Sequence, residues 1–159
     1  MTNNADITIF NQALGEDRRE VLIPTNIYGV CWYEVQSLHR NEKSRSGSTR
    51  VVIRIPYRAK IQDGRIYLPE EQYKRLSAEK RLQYWTIQKN AYIVKNPLEV
   101  AGKWKWDTFS FRNSVITQKE IEDILELTRI DGNFVTVVEY ADNTVRGSNK
   151  VKHLRIGGE

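Results

Sequence analysis

Two stretches of the chain carry side chains whose types and spacing could do chemistry, and in both the chemistry is that of gripping a polyanion. Residues 40–54 hold Arg40, Lys43, Arg45, Arg50 and Arg54 against the single carboxylate of Glu42, a local balance of +4. The formal net charge over 159 residues is +5, so the rest of the chain is nearly neutral. Concentrated cations of this kind can face phosphates. The commoner meaning of a charge run is a solvated loop whose charges keep it soluble. The second stretch is Lys103 to Phe111, KWKWDTFSF, in which Trp104 and Trp106 alternate with Lys103 and Lys105. Aromatics interleaved with cations can stack bases and hold a backbone. The same letters fit a strand whose tryptophans are core and whose lysines are solvated, and no RNP-type motif raises the first reading.

Bond-making chemistry has less to stand on. His39 and His153 are far apart, and neither has a second His, Cys or paired carboxylate at ligand spacing. Cys31 lies inside an apolar run, where a free cysteine is usually core. No nucleophile elbow, P-loop or dinucleotide fingerprint occurs, and no helix pattern follows Gly157-Gly158. The carboxylate pairs Glu70/Glu71 and Glu120/Glu122 sit at helix starts, where negative charge suits the dipole. The expectation is a protein that is not an enzyme and needs no cofactor, metal or small-molecule substrate.

The elements that must position the cations are mostly strands. Ile27 to Leu38 is the longest candidate, with Ile27, Cys31, Tyr33 and Val35 on one face and Tyr28, Val30 and Trp32 on the other. Apolar residues on both faces predict a strand covered on both sides or one at a subunit contact. Val51, Ile53, Ile55 and Tyr57 alternate with Arg50, Val52 and Arg54, which predicts a half-buried strand. Residues 27–57 thus read as a long hairpin with a basic tip. Asp63-Gly64 and Lys89-Asn90 read as turns of two further hairpins. Asp6 to Phe10 is a short strand, Asn11 to Glu20 a loop, and Pro24 an interruption after Val21–Ile23. Phe134 to Tyr140 and Val151 to Ile156 form a closing hairpin that ends at Gly157-Gly158.

Two helices interrupt the strands. Pro69 to Leu76 has Pro69 at its first position, Glu70 and Glu71 at its positive end and Lys74 and Arg75 at the other. Gln118 to Thr128 opens on a capping box, Thr117 with Glu120, and buries Ile121, Ile124 and Leu125. The predicted fold is mainly β (β+α): a small β-barrel or sandwich of about six to eight short strands with two short helices. One domain spans 1–159, with 1–5 and 40–49 flexible.

Composition agrees with a soluble chain, 40% hydrophobic and 28% charged. No apolar run approaches the roughly 20 residues that span a bilayer, so no membrane partner is expected. MTNNADITIF lacks a basic start and an apolar block, so no signal peptide is expected. The single cysteine permits no intrachain disulfide, which suits an intracellular or assembly-borne protein.

YWTIQKNAYIVKN, residues 84–96, resembles a short hairpin of many small structural proteins of tailed phages and prophages. In those the turn is usually Gly-Asp and the second arm ends in Gly, where this chain has Lys89-Asn90 and Asn96. ITQKEIEDIL followed by FVTVVEYADNTVRGSNKVKHLRIGG is similar to their C-terminal half: a capped helix, a strand, a polar turn and a last strand ending near Gly-Gly. Asp142, Asn143, Gly147 and Ser148 occupy the turn. The resemblance covers under half the chain and is to proteins of the head–tail connector region in phages of Gram-positive bacteria, of the stopper or head-completion kind. It implies a small barrel in a homo-oligomeric ring between portal or adaptor and tail proteins. Such a ring surrounds and helps retain packaged double-stranded DNA without reading its sequence. It also implies residence in the virion, and in the host cytoplasm during assembly. Arg40, Lys43, Arg45 and Arg50 would then face the DNA channel. Tyr28, Val30 and Trp32 would serve the head-to-tail contacts of the ring. Two alternatives stay open: a nucleic-acid-binding β-barrel acting alone through Lys103, Trp104, Lys105 and Trp106, or another minor virion protein for tail completion or the capsid.

Overall fold

β-Branched and aromatic residues at every second position make the strands, and two bulges then decide which face of each strand is buried. The computed structural model describes residues 3–14, 20–36, 49–95, 99–100, 103–104, 116–117, 119, 122, 134–144, 147 and 152–159. The strands are β1 (Ala5–Leu14), β2 (Glu20–Gln36), β3 (Thr49–Pro56), β4 (Lys60–Ile61), β5 (Ile66–Tyr67) and β6 (Tyr84–Trp85). They continue with β7 (Tyr92–Lys95), β8 (Glu99–Val100), β9 (Lys103–Trp104), β10 (Ile116–Thr117), β11 (Phe134–Asn143) and β12 (His153–Gly158). Helices α1 (Glu70–Lys74) and α2 (Ala78–Arg81) are short.

Six strands close into a barrel in the order β1-β7-β11-β12-β3-β2, with β2 returning to β1 and every pairing antiparallel. The fold is therefore mainly β, a small closed barrel with additional short strands and, among the described residues, the short helices α1 and α2. Its interior is filled by Ile7, Ile9, Ile53, Ile87, Ile93 and Ile156 among others, all fully buried. Closure leaves the six strands without a free edge among themselves. The short β10 and β4 add to β2 from outside the closed path.

The first bulge lies in β2. Ile7 pairs with Ile27 and Ala5 with Val30, so β2 advances three residues while β1 advances two. Gly29 takes the extra place at φ +75, and its N–H donates to the Asp6 carboxylate at 2.9 Å instead of to the ladder. Alternation changes phase there. Ile27, Val30 and Trp32 all point into the core, and Cys31 and Tyr33 point out, half-buried. This is how a strand with apolar residues at odd and even positions fits one barrel wall. Asn4 extends the pairing by two residues: its side chain accepts from the Trp32 N–H and donates to the Trp32 carbonyl, both at 2.8 Å.

The second bulge is in β11. Val137 pairs with Gly158 and Glu139 with Gly157, two steps against one. Val137 is core, and in an unbulged strand Glu139, two residues on, would follow it inward. The bulge puts Glu139 on the outer wall.

Several local expectations change. β1 runs on to Leu14, and β2 is continuous through Pro24. Proline is tolerated because side chains, not a neighbouring strand, serve that part of the outer edge of β2: Arg65 donates to the Pro24 carbonyl at 2.8 Å, and the Gln62 carbonyl oxygen accepts from the Asn26 N–H at 3.0 Å. Asp63-Gly64 and Lys89-Asn90 are turns, with Asp63 at φ 55 and Asn90 at φ 69. Their arms do not pair with each other. β4 joins β2, β5 joins β6 in parallel, and β7 inserts between β1 and β11. Pro69 is the N-cap of α1 rather than its first residue, and α2, capped by the Ser77 hydroxyl, was not foreseen. Of the helix expected over 118–128, only Lys119 and Glu122 are described, both helical and exposed. β12 continues through Gly157-Gly158.

Candidate anion-binding face

Residues directly opposite one another in an antiparallel ladder share a face. On the outer wall made by β2, β3, β12 and β11 this rule gives two rows that cross the strands. One runs Cys31, Arg54, Arg155, Ala141, and the next runs Tyr33, Val52, Gly157, Glu139. Arg50, opposite Val35, stands one step further along β3. The alternate residues of β3 and β12, from Val51 to Ile55 and from Leu154 to Ile156, are core. Three arginines therefore stand on one wall with one carboxylate.

Glu139 serves two of them. Its Oε1 lies 2.5 Å from Arg50 Nη2 and 3.7 Å from Arg155 Nη1. All three side chains are more than a third exposed, so the pairs contribute little to stability. The ion pair crosses the wall over Gly157. A Cβ there would come within 2.9 Å of Glu139 Cγ and 3.3 Å of Arg50 Nη2. Arg54 has no carboxylate within 4 Å among the described residues. Its guanidinium lies 5.5 Å from the centroid of the Tyr33 ring, and its Nε is buried without a hydrogen-bond partner. Arg54 and Arg155 oppose each other directly, an arrangement of like charges that costs stability.

The sequence-predicted residues are distributed unevenly over this geometry. Arg40, Lys43 and Arg45 lie outside the described residues. Arg50 is on the wall but already neutralised by Glu139. Arg155 and Glu139 were missed as site residues because nothing local connects them with Arg54. The signals that could have found them are the phase of β12 set against β3 and an odd residue in β11. Tyr28 is half-buried, whereas Val30 and Trp32, expected at a subunit contact, are in the core at 0% and 4% exposure. The bulge at Gly29 is the reason. Lys103 and Trp104 form β9 against β8, and their side chains, like residues 105–111, lie outside the described part. Cys31, expected in the core, is half-buried on the outer wall.

A cavity of about 590 Å³ opens at one end of the barrel, lined by Ile55, Tyr57, Ile61, Tyr67, Trp85 and Leu154 among others. The Tyr67 and Trp85 rings meet at 5.0 Å and 59°. Burial, with Asp142, Tyr140 and Glu70 nearby, pushes the Tyr67 hydroxyl up to about 12, so it stays protonated at ordinary pH. Arg65 at the rim is occupied. Its Nη1 donates to Pro24 and to the Thr25 hydroxyl, both at 2.8 Å, and Asp63 lies 3.9 Å from Nη2. Burial lowers its pKa while Asp63 and Tyr73 raise it. Among the described residues no group of three or more His, Cys, Asp or Glu could hold a metal, and no helix is long and apolar enough to cross a membrane.

The fold and the wall together define a small closed antiparallel β-barrel with an arginine-bearing outer face. Residues 1–159 match a family of unknown function, DUF6751, and the chain belongs to that family. No curated protein and no solved structure matches it.

Proposed function

We propose that this barrel is a non-catalytic structural subunit of a tailed-phage head–tail connector, of the stopper or head-completion type. In this reading the subunits form a homo-oligomeric ring between portal-side and tail-side proteins and help retain packaged duplex DNA. The observation that carries it is the β2–β3 ribbon. Beyond the contact with Asn4, residues 33–36 of β2 pair with β3 alone, and the segment joining these strands holds Arg40, Lys43 and Arg45. A closed barrel whose β2–β3 pairing leads into a basic segment of sequence suits a ring subunit that faces a channel. Repetition around the ring multiplies a charge that is small on one copy. The resemblance of residues 84–96 and 116–158 to connector-region proteins supports the same reading.

Counting copies per particle tests it. Quantitative mass spectrometry of purified virions should find the chain in a ring-sized number relative to the portal protein. Absence from virions, or a copy number near that of the major capsid protein, overturns it.

A further inference from the structure

We propose that the outer wall of β2, β3, β12 and β11 docks the phosphodiester backbone of duplex DNA, with Arg54 and Arg155 gripping one phosphate between them. This deepens the connector reading, on which the choice of duplex DNA as partner rests. It moves the main contact from the hairpin tip to the barrel itself.

Three observations carry it. First, Arg54 and Arg155 are direct cross-strand partners, which sets their Cα atoms roughly 5 Å apart. Two guanidinium groups at that spacing repel each other in water and can share the oxygens of one phosphate. Second, the only carboxylate in these two rows is engaged with Arg50 at 2.5 Å and reaches Arg155 only at 3.7 Å, while Arg54 has none within 4 Å among the described residues. Among the described residues Arg54 is thus left without a counter-charge, and Arg155 shares one with Arg50. Third, the wall is low between the cations. Ala141 beside Arg155 is small and Val52 is buried, and the Arg50–Glu139 pair lies over Gly157 in the next row. The Tyr33 ring lies 5.5 Å from the Arg54 guanidinium and restricts where it can move. Arg50 lies four residues from Arg54, roughly 13 Å along β3, or about four base-pair steps at 3.4 Å.

The experiment is fluorescence anisotropy of a 24-base-pair duplex titrated with the full chain over a salt series from 50 mM upward. The R54Q/R155Q variant should bind at least tenfold more weakly at 50 mM salt. Its slope of log K against log salt should be smaller by one to two, since each lost phosphate contact removes about 0.9. The R54K/R155K variant keeps both charges and should keep the slope, which separates charge from misfolding. Unchanged affinity and slope in R54Q/R155Q overturn the proposal, as does undetectable binding by the unmodified chain at 50 mM salt. Competition by poly-glutamate at the same charge concentration as the duplex also overturns it, in favour of an acidic protein partner. A ring-sized copy number with unchanged binding in R54Q/R155Q removes this wall and leaves the connector reading. Weakened binding in a chain absent from virions does the reverse.

Discussion

Asn11 and Thr86, 75 residues apart, hold each other as two strands would. The Asn11 amide donates to the Thr86 carbonyl at 2.6 Å and accepts from the Thr86 N–H at 3.2 Å. Two residues on, the roles are exchanged: the Gln88 side chain accepts from the Gln12 N–H at 2.8 Å and donates to its carbonyl at 3.3 Å. Reciprocal side-chain amides thus fasten the segment after β6 to β1, where no strand ladder exists. Asn11→Leu would leave two buried backbone groups at Thr86 without partners. A loss of about 2–4 kcal/mol in urea unfolding is expected; a change under 0.5 kcal/mol would show the tie to be dispensable.

Gly157 and Gly158 differ in what an added methyl meets. At Gly157 the obstacle is the Glu139 side chain and the end of Arg50, which can swing away. At Gly158 it is the Thr136 carbonyl at 3.1 Å and the Val135 side chain at 3.1 and 3.2 Å, parts of the packed wall. Gly157→Ala should cost about 0.5–1 kcal/mol and Gly158→Ala about 1–3 kcal/mol. Thermal unfolding of the two variants side by side checks the order, and the reverse order would place the rigid obstacle at Gly157.

Glu139→Gln removes the carboxylate that the β11 bulge presents to Arg50 and Arg155. With the pairs exposed, stability should change by less than about 1 kcal/mol. Duplex binding at low salt should strengthen several-fold and its salt slope should steepen by about one for each arginine released to a phosphate. Weaker binding would mean that Glu139 positions the arginines rather than masking them.

Tyr73 is buried at 1% exposure, and its hydroxyl has no hydrogen-bond partner. Burial pushes its pKa up to about 12 against the pull of Arg81 and Arg65, and Tyr67 is raised equally far. An unfolded tyrosine ionises near 10. Between about 10 and 12 the folded chain therefore binds more protons than the unfolded one, and stability falls as pH rises through that window. Absorbance at 295 nm should show three of the eight tyrosines titrating late or only on unfolding: Tyr67, Tyr73 and Tyr140, the last raised by burial and its hydrogen bond to Glu70. Tyr73→Phe should remove one of them and leave stability at neutral pH unchanged or higher by up to about 1 kcal/mol.

Alternation was legible wherever it was uninterrupted. The phase of Val51, Ile53 and Ile55 is as read, although Tyr57, expected on the same face, is exposed. β11 and β12 pair as the closing hairpin, with β11 running on to Asn143 and β12 through Gly158. The turn at Lys89-Asn90 has the positive φ its asparagine suggests. Partner choice was not legible, because a turn residue fixes a reversal without saying which edge each arm joins. Pro24 misled for a related reason: its missing N–H matters only if a strand lies on that side, and there the neighbours are Arg65 and Gln62. The arginine wall escaped notice because its members come from strands about 100 residues apart, and because Glu139 faces outward only through a bulge that no local pattern announces.

The two bulges also give the family a reading frame. Each strand counts inside and outside in twos, and each extra residue, Gly29 or the one between Val137 and Glu139, shifts that count once. A relative that lacks the residue at 138 keeps a carboxylate at 139 on the outer wall, because 137 and 139 already occupy successive places in the ladder. In aligned relatives a one-residue gap at 138 or at 29 should therefore leave the flanking characters as they are here, an outward carboxylate after 137 and an inward apolar residue at 30, whereas a gap elsewhere in these strands should exchange inward and outward characters beyond it. Gaps confined to those two places, with the flanking characters kept, would let the wall be recognised in distant members from sequence alone.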